Sequence, residues 1–172
     1  MDGSIQVYYG NGRGKTTAAL GLGIRAAGVG KQVIMVQFLK KKHSDTLDFL
    51  KKLEPELQIF RFEKAACGYS DLSPKEKQEQ MLNIKNALGY SRKVLDTGQC
   101  DLLILDEIFG LVDYNIITIE ELMDLIAVKK DSMDLILTGR NLHDEVREIA
   151  DCVYSIQREK EKTPEILAQG NF

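Results

Sequence analysis

The stretch Gly10-Asn11-Gly12-Arg13-Gly14-Lys15-Thr16-Thr17 concentrates the residue types that hold a phosphate. Alternating glycines let a backbone curl until several N–H groups point at one anion, and Lys15 adds a full positive charge beside them. The Thr16 hydroxyl is placed to ligate Mg²⁺ carried on a polyphosphate. The pattern G-x-x-x-x-G-K-[ST] is met at Gly14, Lys15 and Thr16, while Tyr9 stands where its first glycine belongs. A glycine-rich turn from strand to helix can lack a ligand. Here Lys15 and Thr16 open a helix whose N-terminal dipole and free N–H groups add to the attraction, so a polyphosphate cradle is expected.

A second chemical element closes the apolar run Leu102 to Leu105 with Asp106 and Glu107. Taken alone, an acidic pair after a strand is more often a turn or a helix cap than a metal site. In a chain that also carries a phosphate loop, an acid at the C-terminal end of a strand is what reaches the metal on the phosphates. That end of an open α/β sheet is where ligands bind. Asp106 and Glu107 are therefore expected beside the loop.

Six short runs rich in valine, isoleucine and leucine can supply the sheet: Ile5 to Tyr9, Val33 to Phe38, Leu57 to Phe62, Leu102 to Leu105, Leu135 to Thr138 and Val153 to Ile156. Their nearly continuous apolarity suits strands buried on both faces. Helical spacing fills the gaps. Ser73-Pro74-Lys75-Glu76 is a capping box with proline at the first helical position, predicting a helix from Pro74 to about Leu95. Thr118-Ile119-Glu120-Glu121 repeats that logic before Leu122, Leu125 and Ile126, and Asn141 to Ala150 is a further helix with Asp144 and Glu145 in its first turn. Alternating strands and helices give an α/β fold: a mostly parallel sheet of about six strands with helices on both faces.

With 172 residues the chain suits one core rather than two. We expect a nucleotide-binding domain over residues 1–157 and a polar tail over 158–172. The 44% hydrophobic and 28% charged composition is that of a globular protein. A net charge of −3 argues against nucleic acid as a partner. The dense basic run Lys40-Lys41-Lys42 reads as a solvated loop. Cys67, Cys100 and Cys152 form neither a disulfide framework nor a zinc pattern, and Cys152 at a strand start reads as a small buried hydrophobe. No run reaches the roughly 18 apolar residues a membrane span needs, and no basic leader precedes the first strand, so a cytoplasmic location is expected.

Several segments together resemble the ATP:corrinoid adenosyltransferase family: Gly10-Asn11-Gly12-Arg13-Gly14-Lys15-Thr16-Thr17-Ala18-Ala19, Val36-Gln37-Phe38-Leu39-Lys40, Leu105-Asp106-Glu107, and Thr138-Gly139-Arg140 with His143 and Ala150-Asp151. They occur in the family's order and span nearly the whole chain. The resemblance implies a RecA-like P-loop NTPase fold, a homodimer, and ATP, Mg²⁺ and a corrinoid as the bound species. It also implies a flavoprotein as electron donor. ATP would bind with its phosphates reversed relative to ordinary P-loop ATPases, exposing C5′ to attack by Co(I). Carried over by position, Lys15, Thr16 and Glu107 would be catalytic. Gly10 to Thr17 would hold the nucleotide, with Asn11 toward the nucleoside; Thr16 and Glu107 would be the metal and nucleotide ligands, and Asp106 would join them at the metal.

Arg140 would contact the nucleotide, and Arg25 either does so or is a surface residue of its helix. Tyr69, in Gly68-Tyr69-Ser70-Asp71, would be the aromatic that crowds the corrinoid, where the family also has a tryptophan. His143 reads as a helix-start residue rather than a cobalt ligand. Two other functions share the loop: a RecA-like ATPase that hydrolyses the γ-phosphate to drive a partner, and a nucleotide-dependent corrinoid-binding protein without turnover. A GTPase is disfavoured, because no Asn-Lys-x-Asp occurs.

Overall fold

The computed structural model describes residues 2–40, 50–62 and 72–160. Among these residues are six strands: β1 (Ile5–Tyr9), β2 (Val33–Gln37), β3 (Leu57–Arg61), β4 (Leu102–Asp106), β5 (Asp134–Gly139) and β6 (Cys152–Ser155). They lie in the order β3-β2-β4-β5-β1-β6, and every pairing is parallel. The α-helices described in full are α1 (Lys15–Ala27), α2 (Pro74–Thr97), α3 (Ile108–Asp113), α4 (Ile119–Ala127) and α5 (Asp144–Ile149). Short α3 carries no start signal in the sequence, because Glu107 ahead of it cannot cap it with a side-chain bond.

Each central strand divides its residues between two cores by alternation, as side chains of period two must. Ile34, Val36, Leu103, Leu105, Leu135 and Leu137 join one core, with α2, α3, α4 and α5. Val33, Met35, Leu102, Ile104 and Ile136 join the other, with Ala19 of α1. Both faces are covered, as expected.

Both capping boxes form. Ser73 Oγ accepts the Glu76 N–H while Glu76 accepts the Ser73 N–H, and Thr118 and Glu121 do the same for α4. The Asn141 start expected for the next helix shifts to Asp144, since the Asn141 side chain donates to Asp113 instead. His143 stands at the N-cap of α5.

Cys152 is a correction: it is exposed. It opens β6, an edge strand with only Val153 partly covered. Cys100, by contrast, is buried, and burial pushes its thiol up to about 12. Brief iodoacetamide treatment of the folded protein near pH 8 should label Cys152 and spare Cys100. Peptide mass spectrometry reads this directly, and equal labelling of the two would contradict their placement. Cys67 and Tyr69 lie outside the described residues.

Candidate nucleotide and metal site

The loop leaving β1 turns at Gly10, whose φ of 119° only glycine adopts without strain. A side chain there would also collide with the Ile156 carbonyl. The loop is braced from two sides. Gly10 N–H donates to Arg140 O at 3.0 Å and Gly12 N–H to Ile156 O at 2.9 Å. Asn11 Oδ1 accepts the Arg158 N–H at 3.3 Å, so the chain just after β6 supports the loop. Helix α1 then starts behind a left-handed Gly14 with no side-chain cap. In α2 and α4 serine and threonine occupy that role; at α1 the first-turn N–H groups have no such partner and can receive an anion.

Lys15 folds into this loop, donating to Gly10 O at 2.7 Å and Gly12 O at 2.9 Å. Burial holds its ammonium below the ordinary lysine value; Arg140 and Lys40 push the same way, and Glu107 and Asp106 oppose them. Arg140 thus sits close enough to act on the loop by charge as well as by its carbonyl. Arg13 and Thr17 are exposed at its mouth. Arg25 is not brought here: it lies exposed in the last turn of α1, the end away from the loop.

Thr16 reaches Asp106, its hydroxyl lying 2.9 and 3.1 Å from the two carboxylate oxygens. Asp106 is completely buried, and a carboxylate there must be matched by donors. Thr138 Oγ1 donates at 2.7 Å and Gln37 Nε2 at 2.9 Å. Thr138 in turn accepts the Glu107 N–H at 2.8 Å. Arg61 Nε donates to Gln37 Oε1 at 2.7 Å. These residues form a row across the strand ends, because the register places Gln37 opposite both Arg61 and Asp106. Glu107 follows in a left-handed conformation, φ 62°, a strained choice for a non-glycine residue that turns the chain sharply out of β4.

Three members of the row, Gln37, Arg61 and Thr138, were not singled out as site residues from the sequence, although a signal exists. Each is a polar residue at or near the C-terminal end of a mainly apolar strand, as Asp106 is. The basic run Lys40-Lys41-Lys42 suggests a solvated loop, and the placement of Lys40 corrects that. Its Nζ lies 3.1 Å from Thr16 Oγ1 and 3.4 Å from Asp106 Oδ2. Left-handed Leu39, φ 55°, redirects the chain just before it. Lys41 and Lys42 lie outside the described residues.

Comparison with known proteins agrees with this architecture. The KaiC-like protein PH0186 of Pyrococcus horikoshii OT3 superposes with a TM-score of 0.62 at 19% identity, over 94% of this chain and 75% of that one, which bears out the RecA-like fold. The corrinoid adenosyltransferase of Escherichia coli K12 is 31% identical over 90% of this chain and 76% of its own length. The corrinoid adenosyltransferase CobA of Salmonella typhimurium LT2 is 30% identical over the same shares. Residues 1–169 match the family described as ATP:corrinoid adenosyltransferase BtuR/CobO/CobP, and with the loop, the acidic strand end and the parallel sheet all in place, the chain belongs to that family.

Proposed function

We propose that this chain moves the 5′-deoxyadenosyl group of ATP onto the Co(I) centre of a reduced corrinoid, with triphosphate leaving into the grip of the Gly10–Thr17 loop. The observation that carries it is the meeting of Lys15 and the uncapped α1 N-terminus with Thr16 on buried Asp106. In the reaction the cobalt–carbon bond forms as the C5′–O bond breaks, and its electron pair departs on the triphosphate oxygen. Negative charge grows on that oxygen, where preorganised N–H donors and Lys15 stabilise it best. No proton has to be removed from the nucleophile, which suits a loop and strand row in which no histidine or cysteine takes part.

The donor set fits Mg²⁺. Thr16 and Asp106 would hold it, with Glu107 alongside. Among the described residues no group of three or more His, Cys, Asp or Glu could hold an ion unaided. Such a site suits a cation that keeps waters and shares phosphate oxygens with one or two carboxylates. When bound, Mg²⁺ neutralises charge on the triphosphate. Leu82 on α2, 63% exposed, offers apolar surface for the homodimer proposed as its assembly. No helix among the described residues is long and apolar enough to cross a membrane.

Products decide the matter. With ATP, Mg²⁺ and chemically reduced corrinoid, a light-sensitive cobalt–carbon bond and one triphosphate per corrinoid should form, with little phosphate released when corrinoid is omitted. Steady phosphate release without corrinoid would instead identify an ATPase.

A further inference from the structure

Lys40 occupies a position that neither the loop nor the strand row explains. Its ammonium is within 3.1 Å of Thr16 Oγ1 and 3.4 Å of Asp106 Oδ2, the two groups assigned above to the metal. Asp106 has no solvent exposure, and Thr16, Thr138 and Gln37 give it only neutral donors. A carboxylate so placed requires a countercharge whenever no metal is present. Lys15 and Arg61 feel its charge without pairing with it.

The backbone aims Lys40 inward. Leu39 takes φ 55°, and its side chain packs on α3 where Gly110 leaves room; a Cβ on Gly110 would lie 2.6 Å from the Leu39 δ-methyl. The left-handed turn is thus held by packing, and the residue after it faces the site. The lysine side chain is still 29% exposed, and its flexible stem lets the ammonium swing out to water without disturbing the fold.

We infer that Lys40 is an intrinsic substitute for the divalent cation: it neutralises Asp106 in the nucleotide-free protein and must be displaced before Mg²⁺ can bind. Two cations cannot share one carboxylate and one hydroxyl at these distances without strong repulsion. The free protein therefore resists taking up the ion alone, and the ion enters with the triphosphate, whose oxygens supply the missing ligands. This inference rests on Thr16 and Asp106 being the metal ligands of the proposed reaction.

Mn²⁺ titration of the nucleotide-free protein, followed by the loss of the free-ion electron paramagnetic resonance signal, tests it. Lys40→Met should bind Mn²⁺ about tenfold or more tightly than the wild type. Lys40→Arg, which keeps the charge, should stay near wild type. The gain should vanish in Lys40→Met combined with Asp106→Asn, which locates it. If Lys40→Met fails to melt cooperatively, Lys40→Gln takes its place. Unchanged Mn²⁺ affinity on loss of the charge, or a gain that survives Asp106→Asn, overturns the role of Lys40. Failure of the metal site itself is separate: wild-type protein would then bind ATP equally well with Mg²⁺ and with EDTA.

Discussion

Lys15→Ala should weaken ATP binding about a hundredfold or more, measured by isothermal titration calorimetry in the presence of Mg²⁺. Charge-assisted hydrogen bonds contribute about 1.5–3 kcal/mol each, and two of them to a polyphosphate amount to at least two factors of ten. The fold should barely notice. Among the described residues the Lys15 ammonium donates only to the Gly10 and Gly12 carbonyls, and burial already penalises its charge. These effects offset one another, so unfolding free energy should change by less than about 1 kcal/mol.

The same placement sets a pH dependence. Because the Lys15 pKa is lowered, its proton is lost at a lower pH than that of an ordinary lysine. Wild-type affinity for ATP should therefore decline as pH rises, beginning below the usual lysine range, and Lys15→Ala should lack that decline. An alanine variant within a few-fold of wild type would show that the loop does not grip the triphosphate.

Asp106→Ala should lower the stability of the free protein by about 3 kcal/mol, read from urea denaturation. The substitution removes the acceptor of Thr16, Thr138 and Gln37 together. Thr138 and Gln37 are buried, so their donors cannot turn to water, and each costs about 1 kcal/mol or more when left unmatched. Lys40 adds less, since it is partly exposed and its ammonium can move to solvent. Asp106→Asn keeps the shape and one carbonyl acceptor, so it should lose less stability but still remove the Mg²⁺ dependence of ATP binding. Wild-type stability in Asp106→Ala would mean that the strand-end row is not held together by this carboxylate.

Both predictions depend on how differently the two halves of the site are encoded. The loop is contiguous, and its glycines, Lys15 and Thr16 act largely where the chain places them: at the end of β1 and the start of α1. Reading it needed only local rules of turn conformation and helix polarity. The acidic end of β4 was equally local. The row from Arg61 through Gln37 to Asp106 and Thr138 is not, because its members come from four strands. Their meeting depends on the strand order and on a register that sets Gln37 opposite both Arg61 and Asp106.

Misplaced expectations have physical causes of the same kind. Cys152 opens a strand ahead of Val153 and Tyr154, and the position of β6 at the sheet edge leaves it exposed. Arg25 is in the helix that begins with the phosphate loop, yet more than two turns carry it away from the loop. Lys40 belongs to a basic run that composition assigns to solvent. A left-handed residue before it, stabilised by contact with a helix some 70 positions later in the chain, turns it toward Asp106.

Periodicity, capping boxes and a glycine-rich bend before a lysine were enough to establish an α/β chain and to predict a polyphosphate loop in it, because these signals act within one element or across one turn. Strand order, the identity of the groups that surround Asp106, and the inward placement of Lys40 emerged only on folding. They depend on contacts between residues far apart in the chain, and the free energy of those contacts is set by burial, which no local stretch of sequence contains.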